Sequence, residues 1–317
     1  MKHLKTLTAA AALCAGMAAA SEDIADQYPQ SELYSKPFQV IENVWSAIGA
    51  TAPPTYENSG HNNNLSFVVT SEGVVVINGG ASARLAAALH EEIKAVTDQP
   101  VKLVINENGQ GHAMLGNSYW ADLGVDILAH EEAIAEVEAH GHEILEGMKR
   151  YNRDKAEGTR VVPANLSFSD SYEYELGGTT FEVLHLGPAH GPGDTQVWLP
   201  EQSMMIAGDI AFHTRMPPIF ADTCTSCWVE TFEGPFMDMN PTYIIPGHGH
   251  PTNMPVVYEG TMGYIKDLRA KIGAHLDEGG DLASAYYVDQ SNWEHLDTFE
   301  ELATKNAGRV FEEMEWE

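Results

Sequence analysis

Positive charge is scarce in this chain. Seventeen Lys and Arg stand against 46 Asp and Glu, which leaves a formal charge of −29 over 317 residues. A surface this acidic repels nucleic acid and anionic membranes, so neither is expected as a partner. Long apolar runs are missing too: the one near the amino terminus falls short of the roughly 20 residues needed to span a bilayer. Pro/Ser-rich linkers and long low-complexity tracts are absent as well, which argues against a string of modules. With 44% hydrophobic residues, the chain can bury a sizeable core as one compact domain with terminal additions.

What is present begins with "MKHLKTLTAAAALCAGMAAASED", a basic start, a short apolar stretch and a small-residue exit at Ala18-Ala19-Ala20. This pattern predicts a secretory signal peptide over residues 1–20, and hence a periplasmic or secreted protein with no membrane attachment after cleavage. Leu13, directly before Cys14, is too large for the usual lipoprotein cleavage site. Residues 21–255 are expected to form the main domain and residues 256–317 a helical extension packed on it.

"LSFVVTSEGVVVING" reads as two β-branched strands joined by a tight turn. "SARLAAALHEEIKAVT" places Leu85, Leu89, Ile93 and Val96 on one helical face, with Ser82 as its cap. "VKLVIN" and "VDILAH" are short strands, and a helix from about Glu131 carries Ile134, Val137, Ile144 and Met148 on its buried side. The second half repeats this grammar: "FEVLHLG", "TQVWLP", "SMMIAGDIAF" and "TYIIPGHG" read as strands, and "WVETFEGPFMDM" as a helix. Helices from Val256 to Asp277 and from Thr298 to Met314 close the chain. Strands clustered in each half, with helices between and after them, predict two packed sheets with helices outside.

Four turns put His or Asp just past a strand: "NENGQGHAMLGN", "GPAHGPGD", "AGDIAFH" and "IPGHGHPT". A rigid sheet holds such side chains at one edge while Gly lets the backbone turn sharply, and these residue types bind zinc or iron. In this order, from about Asn62 to His250, the turns resemble the metallo-β-lactamase superfamily, with "LGPAHGPGDTQVWLP", "MMIAGDIAF" and "IIPGHG" the most specific stretches. The resemblance implies an α/β (α+β) fold, the αββα four-layer sandwich, with metal at the edge of its sheets. It sets His190 on the third histidine of metal site one, Asp209 on the carboxylate that bridges two metals, and His248 on the last histidine of site two.

The stretch after the third of the family's strands departs from that pattern. Where the family has His-x-His-x-Asp-His, this chain has Asn108, Gln110, His112 and Ala113, and the Asp of the family's Asp-x-Gly is Asn78. Amides are poor zinc ligands. The resemblance therefore implies a rebuilt site in which His112, Asp209 and His248 hold one metal, zinc or iron, with His190 as a fourth ligand or a hydrogen-bond donor. The implied reaction is hydrolysis of an ester, lactone, thioester or amide of a small molecule, with Asp209 or Glu107 orienting the water. A mononuclear iron redox enzyme and a non-catalytic binding protein on the same fold are the alternatives. Asn108, Gln110, His61, His213 and Arg215 are further candidates for substrate or metal contact, Arg215 for a carboxylate because few cations offset the acidic surface. His61 reads equally well as an ordinary loop histidine.

Cys224 and Cys227 in "DTCTSCW" are expected to form a loop disulfide in an oxidising compartment, with a redox role as the alternative. Trp228, Phe232 and Phe236 read as core. The extension after Val256 is expected to cover the pocket or to form a homodimer contact.

Overall fold

The computed structural model describes residues 27–317; the signal-peptide reading over residues 1–20 lies outside them. Among the described residues, no helix is long and apolar enough to cross a membrane.

The first sheet has seven strands in sequential order: β1 (Phe38–Ile41), β2 (Val44–Ala47), β3 (Leu65–Val69), β4 (Val74–Ile77), β5 (Val101–Ile105), β6 (Asp126–His130) and β7 (Leu166–Phe168). The strands from β1 to β4 pair antiparallel. Those from β4 to β7 run parallel, because helices now fill the connections. These helices are α1 (Ala83–Val96), α2 (Gly111–Met114), α3 (Asn117–Asp122) and α4 (Glu131–Asn152). The second sheet is ordered β12-β11-β10-β9-β8, with β8 (Ser171–Leu176), β9 (Thr179–Leu184), β10 (Gln196–Leu199), β11 (Met204–Phe212) and β12 (Tyr243–His248). Helices α5 (Thr225–Thr231), α6 (Met254–Val257), α7 (Tyr264–Asp277), α8 (Leu282–Ala285) and α9 (Phe299–Met314) complete the chain.

Alternation along the strands decides what each face meets. Val75, Ile77, Leu103 and Ile105 turn toward Val183, Val197, Leu199 and Ile206 of the second sheet, forming the central core. Val74, Val76 and Val104 point the other way, onto Leu85, Leu89 and Ile93 of α1. The outer face of the second sheet, through Met205, Ala207 and Ile244, packs on Trp228, Ile265, Leu268 and Phe311 of α5, α7 and α9. The layers are thus helix, sheet, sheet, helix, the mixed architecture that the pattern of strands and helices implied.

Local readings agree in detail and differ in places. Ser82 accepts a hydrogen bond from Leu85 N and caps α1 as its position suggested, but Val96 is exposed because α1 ends there and the chain turns away. Ile134 and Ile144 are half-buried, whereas Val137 and Met148 are buried. Strand β11 is buried over all nine residues, since helices cover one face and the first sheet the other. Asp209 lies on this strand and His248 ends its parallel neighbour β12, so both reach the same sheet edge.

Candidate metal centre

Four segments meet at that edge. The turn after β5 carries Glu107, Asn108 and Gln110, and short α2 carries His112. The connection from β9 to β10 carries His190, and β11 and β12 bring Asp209 and His248. Two glycines make the approach possible. A Cβ on Gly247 would stand 2.2 Å from Asp209 Oδ1, and one on Gly208, whose φ is +64°, would stand 2.1 Å from Glu107 Oε2.

Asp209 is the hub. Its Oδ2 lies 3.3 Å from His112 Nε2 and 3.6 Å from His190 Nδ1, and its Oδ1 lies 3.3 Å from His248 Nε2. Asn108 Nδ2 donates to Oδ2 at 3.2 Å. One ligand atom each from His112, Asp209 and His248 falls within a sphere in which all lie within 4.8 Å of one another. Two imidazoles and a carboxylate are a donor set for catalytic zinc or non-haem iron. His112 Nε2, His190 Nε2 and Asp209 Oδ1 are buried without a hydrogen-bond partner, a costly state for polar atoms unless something else satisfies them. The residues therefore fit a metal cation.

The charges support the same fit. Burial opposes the His112 cation, but Asp209 and Glu107 outweigh it and push the imidazole up to about 10. Burial also opposes the Asp209 anion, and the His112 and His248 rings reverse this and hold its carboxyl well below the usual range. Glu107, buried and beside Asp209, is raised. Without metal, the cation between these carboxylates is the His112 proton; a metal ion would stand in its place. His190 and His248 are both lowered to about 4 by burial, which keeps their rings neutral as ligation requires.

Several candidates take roles other than those their position suggested. Glu107 is 2% exposed and does not line the cleft over the site. Asn78 Nδ2 donates to its Oε1 at 2.7 Å, and that oxygen sits 3.5 Å from His112 Nε2. Glu107 is thus placed against the His112 ring and away from the residues that line the cleft. Gln110 Nε2 donates to His190 Nδ1 at 3.0 Å, which engages the nitrogen that His190 turns toward Asp209. His61 is fully buried outside the cleft, with Nδ1 accepting the Tyr34 N–H at 2.8 Å. His213 does not line the cleft either; its backbone N–H donates to the His248 carbonyl. Arg215 does line it, buried, with Nη1 3.5 Å from His248 Nδ1 and 3.3 Å from the Ala52 carbonyl. Burial lowers its guanidinium to about 10, which leaves it charged at neutral pH.

The cleft above Asp209 encloses about 270 Å³. It runs into a neighbouring hollow of about 620 Å³ across Gln110, Ile144, His190 and Phe220. Its apolar wall includes Ile144, Met148, Tyr151 and Phe220. The first two read as plain core from their helical spacing, and nothing in the local sequence marked Tyr151 or Phe220. Cys224 and Cys227 are disulfide-bonded beside this wall.

No protein-family model matches the chain. Among curated proteins, metallo-β-lactamase type 2 of Bacteroides fragilis is 23% identical over 193 residues, covering 57% of this chain and 70% of that protein. Among solved structures, the metallo-β-lactamase from Pontibacter korlensis superposes with a TM-score of 0.61 at 18% identity, over 73% of this chain and 98% of its own. DIM-1 metallo-β-lactamase exposed to ceftazidime gives 0.57 at 13% identity, over 71% and 94%. At these identities the structural likeness speaks for the fold.

Proposed function

Starting from curated and structural neighbours that alike point to the metallo-β-lactamase superfamily, we propose that this chain is an exported hydrolase with one metal per chain, held by His112, Asp209 and His248. Its substrates are small molecules with an ester, lactone, thioester or amide carbonyl. Zinc is the favoured metal, with iron the other choice this donor set allows. The observation that carries the reading is the convergence of those three side chains on one buried point that opens into a cleft. When bound, the metal supplies Lewis acidity, activating water at neutral pH and polarising a carbonyl oxygen.

The chain's own residues supply the rest. Asp209, the only carboxylate among the residues lining the cleft, stays ionised and is the group there that can accept a hydrogen bond from a water molecule and so orient it. Glu107 fixes His112 from behind, and Asn108 fixes Asp209. The apolar wall of Ile144, Met148 and Phe220 excludes water around a bound substrate, and Arg215 keeps a positive charge at the cleft for an anionic group. Engagement of His190 by Gln110 favours one metal over two.

The test is elemental analysis of the mature protein, purified without chelators or metal-binding tags, beside His112→Ala and an ester, lactone and thioester panel. About one zinc or iron per chain, lost in the variant together with hydrolysis, is expected. A wild-type protein that holds no metal after reconstitution would overturn the reading.

A further inference from the structure

The substrate-facing wall does not stand by itself. The loop from His213 to Thr223 carries Arg215, Phe220 and Asp222 to the cleft and its neighbouring hollow, yet it contains little regular structure of its own. Its backbone is held from the carboxyl-terminal segment. Met216 N donates to the Asp297 carbonyl at 3.0 Å, and Asp297 N donates to the Thr214 carbonyl at 2.8 Å. Asn306 Oδ1 accepts the Ile219 N–H at 3.0 Å, and its Nδ2 donates to the Pro217 carbonyl and to Tyr264 Oη, both at 2.9 Å. Just past the loop, Glu313 accepts from Ser226 N at 3.1 Å.

Asn306 is the telling residue. It is fully buried in the interior of α9, where Asn is a poor helix former and an unpaired amide is costly. Both its amide hydrogens and its oxygen are engaged by the loop backbone and the tyrosine beside it. Behind Phe220 lies a further cavity of about 380 Å³, lined on the far side by Leu302, Asn306 and Arg309 of α9. The ring of Phe220, itself 45% exposed, thus stands between the substrate cleft and this solvent-open hollow, and it packs edge-on against His190, 5.2 Å between centroids.

We propose that the segment after Val256, which reaches the neighbouring hollow through Arg309, sets which substrates enter the cleft, with Asn306 as the positioning residue that fixes the Pro217 to Phe220 wall. The proposal rests on the reading of the cleft as a hydrolase site. Removing the Asn306 amide frees the loop, lets Phe220 move toward the cavity behind it and widens the entrance. The metal ligands, all on other segments, stay in place.

The test compares zinc-loaded wild type, Asn306→Ala and Asn306→Asp, the last keeping an acceptor for Ile219 N–H. In Asn306→Ala, amide hydrogen exchange over residues 214–223 is expected to rise at least tenfold, with residues 104–117 unchanged. Metal content is expected to equal that of the wild type, while EDTA strips the metal at least fivefold faster. The ratio of kcat/KM for p-nitrophenyl butyrate over p-nitrophenyl acetate is expected to rise at least fivefold, with Asn306→Asp intermediate on every measure. Unchanged exchange, loss of metal before stripping, or faster exchange with unchanged stripping and ester preference would each overturn the proposal. A wild type that binds zinc but cleaves neither these esters nor any lactone, thioester or amide offered to it sinks the hydrolase reading instead, and the exchange and stripping rates then decide this one.

Discussion

Asp209 stands between His112 and His248, each of its carboxylate oxygens 3.3 Å from one imidazole Nε2. The two rings come from different sheets' edges, so the carboxylate ties the two halves of the sandwich at one point. Asp209→Asn keeps the shape and removes the charge. Metal affinity is expected to fall more than about a hundredfold, beyond the tenfold to hundredfold typical of outer-shell losses. Glu107→Gln, one layer farther out, is expected to stay within that smaller range. Competition with a chromophoric chelator measures both. Equal losses in the two variants would mean that Glu107 is itself a ligand, or that Asp209 is not.

Gly208 offers a second test, of the frame and not the ligands. Its φ of +64° and the 2.1 Å approach of its notional Cβ to Glu107 Oε2 leave no room for a side chain. Gly208→Ala must strain the backbone and push a buried carboxylate off Asn78. A loss of about 1–3 kcal/mol in stability is expected, with metal affinity weakened along with it. Urea unfolding of the metal-free protein measures the first. An unchanged midpoint would show that Glu107 can move freely, and so does not position His112.

Much of this frame is legible in the amino-acid sequence. The β-branched runs of β3 to β6 and the periodicity of α1 mark the first sheet and its cover, and the four His/Asp turns mark the sheet edge. Strands β1, β2 and β7 are three or four residues each and lack the unbroken β-branched run that marks β4, which is equally short. Strand β8, "SYEYEL", does alternate, with Tyr172, Tyr174 and Leu176 toward the core and Ser171, Glu173 and Glu175 outward, so its signal is present in the sequence though the strand is not among those expected from it. The site is legible as residue types and not as contacts. Glu107 sits next to Asn108 in sequence, yet only the fold shows it sealed behind His112. Asn306 gives no sign at all, because a polar residue in a helix ordinarily faces water, and its partners lie 87 and 89 positions away.

His61 shows the same limit and supplies a prediction in pH. The sequence allows it over the metal or in a plain loop, and the fold buries it completely, its Nδ1 receiving the Tyr34 N–H. Burial outweighs the nearby Ala47 and Asn63 backbone and lowers the imidazole from 6.5 to about 3. The folded state therefore keeps His61 neutral where the unfolded chain protonates it. Its contribution is fully present above pH 6.5 and is lost as pH falls toward 3, because proton uptake by the unfolded state pulls the equilibrium. Between pH 7 and pH 5 the loss amounts to about 2 kcal/mol on the order-of-magnitude scale of such shifts. His61→Asn retains an acceptor for Tyr34 N–H and cannot titrate, so its stability should fall less over that interval by about that amount. Urea unfolding of both metal-free proteins at pH 7 and pH 5 makes the comparison. Parallel losses would mean that His61 takes up a proton in the fold, and that its pocket opens to water.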